Sequence, residues 1–170
     1  MPHVQAQGLT IEYDIIGPEA GEPLLLISGL GVQMIRWAMP FCESLAARGY
    51  RVIRFDNRDA GLSTHLAASP APDLATLAMA AARGTRLDVP YTLREMAADA
   101  VGLLDALEID RAHLVGHSMG GMIAQLIACD YPARTRSLVA IMSSTNDPAL
   151  PPADPSVMAL LTRRPPNPID

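Results

Sequence analysis

The sequence predicts an α/β domain with a mainly parallel sheet and helices on both faces. Three observations lead there. Apolar runs of strand length alternate with longer amphipathic stretches along most of the 170 residues. Several runs are continuous rather than alternating, as in strands buried on both faces. Hydrophobic residues make up 49% of the chain and charged residues 18%, a composition able to fill a core.

Each element has its own warrant. Residues 10–16 read as a strand, with Ile11, Tyr13 and Ile15 alternating, and 17–21 as a turn cluster. The run 24–28 is a short strand buried on both faces. Residues 37–48 form a helix stopped by Gly49, and 51–55 the next strand. A polar loop follows over 56–63. The Ala- and Pro-rich stretch 66–90 accommodates a helix over 74–83. Thr92 caps a helix running to 107, with Glu95 three residues on as in a capping box. Residues 112–116 are a strand, 119–130 a helix stopped by Pro132, and 138–142 a strand. Beyond 143 the chain is proline-rich and reads as loop. The expected division is 1–146 as core and 147–170 as a separate Pro-rich segment.

Composition also excludes. Net charge is −5, and all 13 basic residues are scattered arginines, so there is no nucleic-acid footprint. No apolar run reaches the roughly 18–20 residues of a membrane span. The N-terminus lacks the basic and apolar regions of a signal peptide. Cys42 and Cys129 fall inside expected helices, as small core residues rather than a disulfide, so a reducing cytoplasmic location is expected. No Cys-x-x-Cys spacing occurs, and neither metal nor cofactor is expected.

Ligands of parallel sheets sit at the carboxyl ends of strands, which directs attention to 28–31, 56–63 and 116–121. The last carries Gly116-His117-Ser118-Met119-Gly120, a G-x-S-x-G pattern with an apolar strand running in and a helix running out. A serine on so sharp a turn projects its hydroxyl above the sheet. Side chains two residues either side would collide, hence Gly116 and Gly120. The helix N-terminus offers free N–H groups to a developing oxyanion. The competing reading is a tight turn with Ser118 as a helix cap.

Here the chain resembles the α/β-hydrolase fold family. Residues 112–121 are very like its nucleophile strand and turn, and the resemblance runs from Gly8 to about Ser144. Within the family, residues 54–64 look like the aclacinomycin methylesterase-type hydrolases. The resemblance implies Ser118 as nucleophile and the N–H groups of Leu30 and Met119 as oxyanion donors. Gly29 and Gly31 let the backbone approach. Ser28 stands where the family commonly has His. Asp56, Arg58, Asp59, Gly61 and Ser63 resemble an acidic family loop, with Asp59 replacing a usual Gly. Asp56 and Arg58 are expected to brace each other and nearby backbone groups.

A serine hydrolase also needs a base and a carboxylate to orient it. The family order is Ser, acid, His, yet residues 119–170 contain no histidine. Asp147 remains a candidate acid, a few residues late for its strand; Asp154 is the other downstream acid of interest. His117 adjoins Ser118 but points elsewhere on the turn, as a bracing residue. His113 is a strand residue, and His65 ends the acidic loop. The strand around 138–142 reads as buried on both faces, so its composition expects further strands beside it. The chain is therefore expected to be the N-terminal part of a hydrolase core lacking its last strands, with 147–170 beginning a cap. A downstream half or complementary chain is the expected partner.

The expected activity is hydrolysis of a small ester, apolar given Leu30, Met34 and Met119 near the cleft. Two alternatives stand beside it. One is other chemistry on the scaffold, such as carbon–carbon hydrolysis or perhydrolysis. The other is a non-catalytic binding module.

Overall fold

Strand order explains why helices cover both faces of the sheet. The computed structural model describes residues 2–66, 76, 79–80, 83–85, 89–145, 147, 149–151 and 154–162. The strands are β1 (His3–Ala6), β2 (Leu9–Ile16), β3 (Glu22–Ile27), β4 (Tyr50–Phe55), β5 (Ala112–His117) and β6 (Thr135–Ile141), in the order β1-β2-β4-β3-β5-β6. β1, β2 and β4 pair antiparallel; β4, β3, β5 and β6 pair parallel. From β3 the chain passes through α1 (Met39–Ala46) to β4 on one side. It then returns through α2 (Leu93–Ala106) to β5 on the other side, and continues through α3 (Met119–Asp130) to β6. Parallel crossovers are right-handed, so reversing direction moves the helix to the opposite face.

Core packing follows this reversal. Leu25, Ile27, Ile53, Phe55 and Leu114 pack with α2 and α3. Their strand neighbours Leu24, Leu26, Val52 and Val115 pack with Trp37 and Cys42. The reversal also places the carboxyl ends of β3 and β5 side by side, with Ile27 opposite Gly116. Open α/β sheets bind their ligands at such a switch point.

Several elements differ from expectation for local reasons. The sequence reading has no strand before residue 10, yet β1 forms a hairpin with β2. Gln7 (φ 51°) and Gly8 (φ 77°) make its two-residue turn, and Ala6 faces Leu9. The expected helix 37–48 is shorter, α1 over Met39–Ala46, which carries Pro at its start, and a 3-10 turn, Met34–Arg36, precedes it. The Thr92–Glu95 capping box is present. Cys42 is buried, whereas Cys129 is exposed rather than in the core, and both are free.

β6 stands at the edge of the sheet, as expected of a core lacking its last strands. Its composition reads as buried, but it pairs only with β5 among the described residues. Leu138 and Val139 stand 38% and 48% exposed. Burial of a strand is set by its neighbours, not by its own residues.

The chain forms two compact units: Met1–Ser69 with Pro90–Thr145, and Pro70–Val89 with Asn146–Asp170. The expected core over 1–146 differs in that 70–89 go with the second unit. Of the helix expected over 74–83, Thr76, Met79 and Ala80 are helical, and most of its other residues lie outside the described set. Where loop was expected after 143, α4 (Pro155–Thr162) forms. Asp154 accepts the Ser156 N–H at 2.8 Å and its hydroxyl at 2.6 Å. Asp before the first turn and Pro at its start are helix-initiating signals, so proline richness misled here. No helix among the described residues is long and apolar enough to cross a membrane.

Candidate active site

Ser118 stands between β5 and α3 with φ 54° and ψ −125°, a conformation L-residues seldom adopt. Its N–H donates to the Ile141 carbonyl at 2.9 Å. Its own carbonyl accepts the Gly121 N–H and the Ser143 hydroxyl, each at 2.9 Å. The backbone is thus pinned from β6 and α3 while the side chain remains exposed. Although Ser118 occupies the N-cap position of α3, its hydroxyl makes no capping bond. The helix-cap reading of this serine therefore fails.

Glycine is required around it by space. A Cβ on Gly116 would strike the Gly120 carbonyl and come within 2.6 Å of the Gly121 nitrogen. One on Gly120 would strike the Ile27 carbonyl and lie 2.7 Å from that of Ser28. Both obstacles are backbone, so neither can swing aside. Strand β5, α3 and the end of β3 consequently meet at contact distance.

The end of β3 turns directly over this point. The Val32 N–H closes a turn onto the Gly29 carbonyl at 3.2 Å, with Gly31 at φ 64° and Leu30 68% exposed at the crest. The Leu30 amide lies outside the turn's own hydrogen bond. The Met119 amide belongs to the first turn of α3, where N–H groups have no intrahelical acceptor. A Cβ on Gly29 would lie 3.2 Å from the Ser118 Cβ, so the turn's backbone rests against the serine. The Asn57 side-chain amide donates to the Ser28 carbonyl at 3.0 Å and holds the turn from β4's exit.

Asp56 organises the remaining wall. Its Oδ1 accepts the Met34 N–H at 2.7 Å and its Oδ2 the Leu62 N–H at 3.0 Å; its carbonyl accepts the Ser63 hydroxyl at 2.6 Å. Gly61, at φ 54°, is where a Cβ would strike the Asp56 carboxylate.

A family model described as alpha/beta hydrolase fold matches residues 22–164. The chain belongs to the α/β-hydrolase fold family. It is 38% identical over 133 residues to RutD of Variovorax paradoxus (strain S110), provisionally named a carbamate hydrolase; the match covers 78% of the chain and 42% of that protein. It is 36% identical over 142 residues to rhodomycin D methylesterase DauP of Streptomyces sp. (strain C5), covering 82% of the chain and 41% of the relative. The methylesterase match agrees with the subgroup that residues 54–64 resemble. Among solved structures, the enol-lactonase of Burkholderia xenovorans LB400 shares 29% identity at a TM-score of 0.61, over 79% of this chain and 44% of that one. The chain thus spans about two fifths of the length of these curated relatives.

Within this hydrolase core some expected partners are exchanged. Arg58 does not brace Asp56. Its Nε and Nη2 donate to both Asp99 carboxylate oxygens at 2.6 and 2.7 Å, a bidentate pair almost wholly buried. The Asp99 hydrogen bond holds the Arg58 guanidinium protonated above its ordinary value. Asp56 is committed to backbone amides, which leaves no reason for the two to pair. Arg58 also lies 4.8 Å from the Tyr91 ring centroid. Sequence reasoning missed Asp99, though an acid on the apolar face of α2, between Met96 and Leu103, was a usable signal.

The histidines and the downstream acid are placed locally. His65 bonds the Gly61 carbonyl at 3.0 Å. His113 bonds the Ser137 hydroxyl at 2.7 Å and sets its ring edge against Tyr50. His117 accepts the Gly29 N–H at Nε2, 3.3 Å away, so it braces the turn. Asp147, in the second unit, accepts the Ala149 N–H at 2.8 Å, the usual bond of an Asx turn. Met34 is buried rather than lining a cleft. Met142, one residue beyond the strand end that pins Ser118, stands 83% exposed and was not anticipated.

Proposed function

We propose that this chain is the nucleophile-bearing part of a serine hydrolase acting on a small apolar ester. The observation that carries the reading is the strained, uncapped Ser118, exposed at the start of α3 and against the Gly29–Val32 turn. Ser118 Oγ attacks the ester carbonyl carbon as its proton passes to a base. The carbonyl oxygen becomes an anion facing the N–H groups of Leu30 and Met119, where preorganised donors lower the barrier. Collapse expels the alcohol, which takes up that proton, and leaves an acyl-enzyme. Water, deprotonated by the same base, releases the acid and restores the serine. Exposed Leu30 and Met142 support an apolar acyl or alcohol group.

The base and its orienting acid are assigned to a downstream half or a complementary chain. Support comes from the absence of histidine after Ser118 and from relatives more than twice as long as the match. His117 is engaged with the turn and does not fill the role. Free Cys42 and Cys129 support a reducing cytoplasmic setting.

The test is turnover of p-nitrophenyl acetate and butyrate, with fluorophosphonate labelling, beside Ser118→Ala. Labelling that vanishes in the variant is the expected mark of an activated serine. Repeated turnover by the 170-residue chain alone would place the base within it and point to His65. Absence of labelling, even with the downstream half restored, would leave the binding-module reading.

A further inference from the structure

His117 is an ionisable side chain that touches the turn over Ser118, and its contacts define a second task. Its Nε2 accepts the Gly29 N–H at 3.3 Å, which requires the ring proton to sit on Nδ1. The ring lies edge-on to Trp37, with centroids 5.0 Å apart at 68°, and Trp37 in turn stacks on Phe41 at 5.8 Å. On the other side a Cβ at Gly29 would sit 3.1 Å from the ring's Cε1, so ring and turn are already in contact. The imidazole is wedged between the aromatic pair and the backbone amide that precedes Leu30.

We propose that neutral His117 is the positioning residue of the oxyanion turn, and that a proton on its ring releases the turn. The proposal rests on reading the Leu30 amide as an oxyanion donor. In the neutral ring, Nε2 holds Gly29 and thereby the amide plane that orients Leu30. Once protonated, Nε2 carries a hydrogen that faces the Gly29 N–H, and two donors cannot bond each other. The turn then loses its tie to β5, and the Leu30 donor its fixed aim.

The surroundings keep the ring neutral. Cys42 on α1 carries a thiol that burial pushes up, hence uncharged. Arg54 on β4 donates to the Trp37 carbonyl at 2.8 Å but is paired with Asp14 of β2 at 2.7 Å. Residues 28–32, the first turn of α3 and the facing end of β6 bring no ionisable group. Burial lowers the His117 value below its usual 6.5. The sign follows: the stabilisation is complete above pH 6.5 and is lost as pH falls through the lower folded-state value.

The deciding experiment follows the Gly29 amide by nitrogen-15 NMR, and the emission of Trp37, the sole tryptophan, from about pH 8 to about pH 4.5. Both are expected to move with a single midpoint below 6.5, because an imidazolium beside indole quenches it. In His117→Gln, which keeps an acceptor but cannot gain a proton, both are expected to stay flat. In Ser118→Ala the wild-type titration is expected unchanged. A Gly29 amide that holds still over this range in the wild-type chain, whatever the ring does, overturns the proposal. Failure of Ser118 to label with the downstream half restored would instead overturn the nucleophile reading and leave this titration as it is.

Discussion

Two walls of the same site are held in place by different physics. The Ser118 elbow is built from exclusion: Gly116 and Gly120 let three backbone segments touch, and no side chain fills the gap. The Asp56 loop is built from attraction, with carboxylate oxygens collecting the backbone amides of Met34 and Leu62. Exclusion tolerates no substitution, since a methyl group meets backbone. Attraction degrades by degrees, since each lost hydrogen bond removes a finite share. The elbow sets a strained serine to the limits of hard contact, while the loop sets the surrounding wall more softly.

The largest effect should come from the elbow. Gly120→Ala is expected to abolish the fold or cost about 4 kcal/mol or more, because the new Cβ meets the Ile27 and Ser28 carbonyls. Urea unfolding followed by Trp37 emission measures it; a loss under about 1 kcal/mol would show that exclusion is not what holds the turn.

Next stands the buried pair beneath the loop. Asp99→Ala leaves the Arg58 guanidinium buried without its carboxylate, at an expected cost of about 3–5 kcal/mol. Replacing both residues with apolar ones, as Asp99→Leu with Arg58→Met, should recover much of that loss. If the double variant is as unstable as the single, the pair itself stabilises the fold, beyond the cost of orphaning a charge.

Asp56→Asn sharpens the contrast from the soft side. One oxygen still accepts an amide, but the new NH2 faces the other, and a buried N–H loses its partner. The expected cost is about 1–3 kcal/mol, read from the same unfolding curves. Fluorophosphonate labelling retained in this variant with the downstream half restored would show the elbow standing without its neighbour.

The smallest effect is a titration. Burial, and after it the Asp59 carboxylate, pushes the Tyr91 phenol up to about 12. Ultraviolet titration should find a tyrosine ionising late. Asp59→Asn should bring that midpoint down, though not to the ordinary value, since burial remains. An unchanged midpoint would remove Asp59 from the loop's polar network.

Much of this was legible before any coordinates. The capping box at Thr92 and Glu95, the bounds of α3, and the glycines of the elbow are interactions among residues a few positions apart. Their spacing alone carries the geometry. The hairpin at Gln7 and Gly8 and the start of α4 at Asp154 and Pro155 were equally local, and their turn and cap signals were overlooked. Arg58 with Asp99 and Gly29 with His117 are another kind. They lie 41 and 88 positions apart, and nothing in the intervening residues announces them.

By itself, then, the sequence determined where strands and helices lie and that a serine sits on a turn no larger residues could form. These follow from backbone sterics and periodicity within a few residues. Only the tertiary structure decided which carboxylate Arg58 would meet and that His117 would turn to Gly29. Those outcomes depend on the reversal of strand order at β3, which brings distant segments together, and segments of the same sequence arranged otherwise would have found other partners.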